Sequence, residues 1–108
     1  MALQPRRPDF RTRDEVIAKL RELRPLLEAE GVSHVAIFGS IARGDDDMTS
    51  DIDLIVSIDA SRKVDIFDFS AIKKFIASQF DRPLDLGTRD SLHPERHKRI
   101  IDELVTAF

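Results

Sequence analysis

A small mixed α/β domain, one β-sheet backed by helices, is the fold class that this 108-residue chain predicts. Three short apolar segments read as strands, at residues 34–38, 51–58 and 83–88. A long helical pattern lies between the second and third, and helical patterns also open and close the chain. The predicted order is therefore helix, strand, strand, helix, strand, helix.

Residues 1–10 hold Pro5, Pro8 and the pair Arg6-Arg7 and read as a flexible N-terminal tail, which leaves residues 11–108 as a single domain. Thr12 and Glu15 have capping-box spacing, so a helix is expected from about Arg13. Its apolar residues Val16, Leu20, Leu23 and Leu27 recur at helical intervals. Pro25 lacks an amide to donate, which predicts a kink or restart there, and Gly31 ends the segment.

His34 to Phe38 is a short run of β-formers that stops at Gly39. In the strand from Asp51 to Ile58, Ile52, Leu54, Val56 and Ile58 fall on one face, and Asp51, Asp53, Ile55 and Ser57 on the other. From Val64 to Phe80, the residues Ile66, Phe69, Ile72, Phe75, Ile76 and Phe80 fit a helix long enough to cross a sheet. Pro83 to Thr88 supplies a third strand, with Asp85 between Leu84 and Leu86. Pro94 then starts a closing helix carrying Ile100, Ile101, Leu104, Val105 and Phe108.

With 42% hydrophobic and 34% charged residues, the chain has the balance of a globular domain. It has no cysteine, which excludes disulfides and thiolate zinc sites and suits a reducing compartment. No apolar stretch reaches membrane-spanning length, and the expected location is the cytoplasm. A net charge of −3 argues against a protein that coats nucleic acid, and no direct DNA binding is expected. A single nucleotide remains a reasonable ligand.

The chemistry concentrates between Gly39 and Leu54. Gly39 permits close backbone approach to a ligand and Ser40 offers a hydroxyl. Free amides at the start of a short helical turn attract an anion, so Gly39-Ser40 suits a triphosphate. Gly44 would end that turn. Arg43 would contact phosphate or pair with a nearby Asp. Asp51 and Asp53 stand about 6.6 Å apart on one face of an extended segment, so their carboxylates can share a hard cation such as Mg²⁺. A third acid would complete a two-ion site, and Asp85, between apolar neighbours on its own strand, is the best placed. The run Asp45-Asp46-Asp47 would repel phosphate unless it faces solvent or Arg43.

The pattern Gly39-Ser40-x-Ala42-Arg43-Gly44, five residues, then Ser50-Asp51-x-Asp53-Leu54 resembles the signature of the nucleotidyltransferase superfamily with the DNA polymerase β fold. In so short a chain it resembles the minimal nucleotidyltransferase (MNT) branch, over a stretch from about Leu20 to the C-terminus. The resemblance implies Mg²⁺-dependent transfer of a nucleoside monophosphate, commonly AMP from ATP, with pyrophosphate leaving. Gly39 and Ser40 would then hold the triphosphate, Asp51 and Asp53 would ligate Mg²⁺, and Asp85 would stand near the acceptor hydroxyl. It further implies a hetero-oligomer with a HEPN-domain toxin, this chain being the antitoxin that adenylylates a tyrosine of its partner. Two alternatives stay open: an inactive antitoxin that neutralises its partner by binding, or a small-molecule enzyme with a HEPN-like substrate-binding subunit.

More ordinary readings cover the remainder. A glycine turn alone is a common strand ending, and alternating acids are routine on a solvent-facing strand edge. His34, His93 and His97 share no metal-ligand pattern and read as surface or capping residues.

Overall fold

The computed structural model describes residues 12–44, 51–80 and 82–108. The expectations for the N-terminal tail, for Asp45-Asp46-Asp47 and for Ser50 lie outside the described residues. Four strands form one mixed sheet: β1 (Val32–Phe38), β2 (Ile52–Ile58), β3 (Leu84–Thr88) and β4 (Val105–Thr106), in the order β3-β2-β1-β4. β1 runs antiparallel to β2 and β4, whereas β2 and β3 are parallel. A parallel pair needs a crossover, which a helix at Ile66–Ser78 provides.

The first helix, α1, spans Arg13–Ala29. The Glu15 amide donates to the Thr12 hydroxyl at 3.2 Å, which closes half of the capping box. Of the kink or restart expected at Pro25, the restart does not occur: α1 is one helix through that residue. Pro25 lies on the exposed side of the helix, while Leu20, Leu23 and Leu27 hold the buried side in place.

The short helix α2 (Gly39–Arg43) follows β1 directly, and Gly44 ends it in the left-handed region with φ of 77°. The crossover helix α3 (Ile66–Ser78) starts two residues later than the Val64 expected. A reciprocal capping box between Asp65 and Asp68 fixes that start. Ile66, placed on its apolar pattern, is exposed, whereas Ile72 and Ile76 are buried.

The closing segment departs most from expectation. The helix α4 covers only Lys98–Glu103, Leu104 leaves helical geometry, and Val105–Thr106 become β4. The β-branched pair satisfies an edge of β1 that a longer helix would leave bare. The Ala107 amide donates to the Val35 carbonyl at 2.8 Å, and the Val35 amide donates to the Phe108 carbonyl at 3.2 Å. Ahead of α4, His97 Nδ1 accepts from the His93 amide at 2.8 Å, and His93 Nδ1 accepts from the Glu95 and Arg96 amides. Both imidazoles act as caps of this turn, as their sequence context suggested.

α1 and α3 cover the same face of the sheet. Val35, Ile37, Ile52, Leu54, Val56 and Leu86 from the strands join Val16, Leu20, Leu23 and Leu27 of α1 and Ile72 and Ile76 of α3 in one core. Burying each such side chain contributes about 1.5–3 kcal/mol. The opposite face is left free of both helices.

Candidate active site

Strand register decides which side chains share the uncovered face. Phe38 pairs with Asp53, and Asp53 pairs with Asp85. These three positions form a row across β1, β2 and β3, with neighbouring strands about 4.8 Å apart. Gly39 and Ser40 begin α2 immediately past the β1 end of this row. The turn and two of the three acids are thus adjacent through backbone pairing alone.

Gly39 meets two constraints at once. Its φ of 78° is unfavourable for any residue with a Cβ, and a Cβ built there would run into the Asp53 carboxylate. Asp53 therefore packs directly against the backbone of the turn. At the head of α2 the cap position is Phe38, whose side chain offers no hydrogen bond to the first-turn amides.

Asp53 is partly buried, and its carboxyl holds its proton above the usual carboxylate range. Desolvation is the main cause, followed by the negative charges of Asp85 and Asp51, with Arg43 opposing. Asp51, exposed and just ahead of β2, reaches Asp53 through this field. Among the described residues no three acidic or imidazole groups stand at ligating distance of one point. The acids are gathered as charges rather than as a closed ligand shell. A donor set of hard oxygens whose mutual repulsion raises one proton affinity fits a divalent cation, which would relieve that repulsion.

Arg43 Nη1 pairs with Glu103 Oε2 at 3.3 Å, and Arg99 Nε reaches the other oxygen of the same carboxylate at 3.3 Å. Arg43 thus forms an ion pair, as one of its two expected roles had it, but with the distant Glu103 and not with a nearby Asp. Its charge also acts on Asp53. Glu103, sixty positions away, carries no local signal that would reveal this contact. Ser40 is partly exposed in the first turn of α2.

This small mixed sheet, with α1 and α3 on one face and a glycine turn beside a row of acids on the other, defines an α/β domain built around one polar face. The model of the nucleotidyltransferase domain family matches residues 13–106, and the chain belongs to that family. A relative from Methanocaldococcus jannaschii, "Putative protein adenylyltransferase MJ0435", is 33% identical over 85 residues, covering 79% of this chain and 89% of the relative. Among solved structures, one described as a "putative minimal nucleotidyltransferase" superposes with a TM-score of 0.70 at 23% identity, over 87% of this chain and 94% of that one. Another is the tri-AMPylated HEPN toxin of Shewanella oneidensis in complex with its MNT antitoxin. It matches with a TM-score of 0.61 at 17% identity, over 90% of this chain and 72% of that one. The fold is that of the minimal nucleotidyltransferases, as the sequence motif implied.

Proposed function

We propose that this nucleotidyltransferase moves AMP from ATP to a tyrosine hydroxyl of a HEPN-domain toxin and so serves as its antitoxin. The observation that carries the reading is the row joining the Gly39-Ser40 turn, Asp53 and Asp85. Adenylyltransferase relatives and a structural neighbour bound to an AMPylated toxin support the choice of nucleotide and partner.

In this reading the α2 amides and the Ser40 hydroxyl bind and orient the β- and γ-phosphates. Asp51, Asp53 and Asp85 would hold Mg²⁺, which supplies the positive charge that neutralises the phosphate oxygens. Asp85, at the far end of the row from the turn, orients the acceptor hydroxyl. The new bond joins the acceptor oxygen to the α-phosphorus, and the bond to the β-phosphate oxygen breaks. Pyrophosphate leaves on the turn side, and the hydroxyl proton passes to Asp85 or to water. The Arg43–Glu103 pair positions the end of α2.

ATP labelled at the α-phosphate, incubated with Mg²⁺, the protein and a HEPN partner encoded beside it, should label the partner on tyrosine. Asp53→Ala should leave it unlabelled. An unlabelled partner that the wild type still neutralises would replace transfer with neutralisation by binding. Label on a small molecule would identify a different acceptor.

A further inference from the structure

Among the described residues three large apolar side chains are exposed, Leu26, Ile66 and Phe67, and all three stand on the helices that cover the sheet. Between these helices, on the side turned away from the acids, runs a groove of about 270 Å³. Leu26, Ala29 and Glu30 of α1 form one wall, and Ala71 and Phe75 of α3 form the other. Phe67 precedes Ala71 by one helical turn and Phe75 by two, so it borders the groove, and its ring is 81% exposed.

Two contacts fix where these residues lie along the groove. Arg62, just ahead of α3, donates to the Ala29 carbonyl at 2.9 Å, and a Cβ on Gly31 would stand 3.0 Å from Val64 Cγ2. The end of α1 therefore lies beside the start of α3, which brings Ala29 and Phe67 to the same end of the groove. The two walls also carry opposite charge. Glu30 on α1 and Lys74 on α3 are both exposed, and neither side chain has a hydrogen-bond or ion-pair partner among the described residues.

An apolar groove with an acid on one wall, a base on the other and a projecting ring at one end is complementary to itself. A two-fold axis along the groove lays α1 of each copy over α3 of the other. It sets Glu30 against the partner's Lys74, and Lys74 against the partner's Glu30. Phe67 then rests on the partner's Leu26 and Ala29. One surface supplies both halves of every contact. With helices of 17 and 13 residues, the face spans about 20–25 Å by two helix widths, roughly 400–500 Å² per copy. That area belongs with weak, reversible interfaces.

We infer that the groove between α1 and α3 joins two copies of this chain in a weak symmetric dimer. The open faces then point away from each other, so both acid rows stay accessible, and the inference does not depend on the function proposed for them. Sedimentation velocity of the wild type between about 5 µM and 500 µM should show a reversible shift from monomer to dimer. Phe67→Ser, at an exposed position, should weaken the dimer by about tenfold or more and leave the melting temperature in dilute solution unchanged. Glu30→Lys and Lys74→Glu should each weaken it by about tenfold, because each sets like charges opposite one another. An equimolar mixture of these two variants should recover the dimer, since two bases then face two acids across the axis. A folding defect in either variant cannot produce that recovery. A wild type that stays monomeric to about 500 µM overturns the inference, and loss of HEPN-partner binding in Phe67→Ser would then assign the face to that protein. A dimer that all three variants leave intact, or a mixture no more dimeric than its components, overturns it as well.

Discussion

The two faces of the central sheet are made by the same strands, yet alternate residues of β2 do opposite work. Ile52, Leu54 and Val56 point under α1 and α3 and are fully buried; Asp53 points the other way, partly exposed beside two more acids. The covered face supplies the apolar burial that folds a domain of this size. The open face contributes repulsion: three carboxylates, one of them desolvated, without a basic residue set among them on the strands. Stability and the proposed chemistry are thus separated by a single step of the pleat, and substitutions on adjacent residues should separate them experimentally.

The largest effect should come from the covered face. Leu54→Ala removes a fully buried side chain and should cost about 2–5 kcal/mol, read as a lowered urea midpoint. Gly39→Ala joins the two faces, since its Cβ enters both a left-handed backbone conformation and the Asp53 carboxylate. It should cost about 1–3 kcal/mol and also abolish nucleotide binding, which Leu54→Ala at a temperature where it remains folded should not.

Asp53→Asn, one residue from Leu54, should act with the opposite sign. The folded-state affinity of Asp53 for its proton is raised, so ionisation costs stability. That cost is absent below the unfolded carboxylate range, grows as pH rises through the folded pKa, and is complete above it. At neutral pH in EDTA, thermal melts should therefore place Asp53→Asn above wild type by a few degrees, with the gap closing in acid. A wild type more stable than Asp53→Asn under those conditions would mean that the acid row is not under electrostatic strain.

The smallest effect lies remote from both faces. Asp59 accepts from the amide and hydroxyl of Ser61 and holds its proton below the usual range. Asp59→Ala should lower the melting temperature slightly at neutral pH. The difference should vanish as pH falls through the folded pKa, because a depressed acid contributes stability only above it.

Much of this arrangement was legible before any coordinates. Alternation in Asp51–Ile58 separated the faces of β2, and the Gly39-Ser40 spacing located the turn, because period-two patterning and glycine punctuation are local properties. Asp85 was placed on its strand by its apolar neighbours, and strand register then brought it level with Asp53. What escaped was non-local. The switch from α4 to β4 depends on an open edge of β1 that lies some seventy residues earlier, and nothing in Val105-Thr106 alone outweighs the helical spacing around it. The Glu103 partner of Arg43 likewise depends on a contact that no local pattern encodes. Pro25 shows the converse: its local cost is real, and burial on the far side of the helix carries α1 through it without a restart.

The central claim is that the open face gives up stability in order to hold ATP with its metal. The most direct test is calorimetric titration of ATP into wild type and Asp53→Asn, with Mg²⁺ and with EDTA. The expected result is Mg²⁺-dependent binding to wild type and binding weakened about tenfold or more in Asp53→Asn, although that variant melts higher. Equal ATP affinity in the two proteins with Mg²⁺ present would contradict the claim.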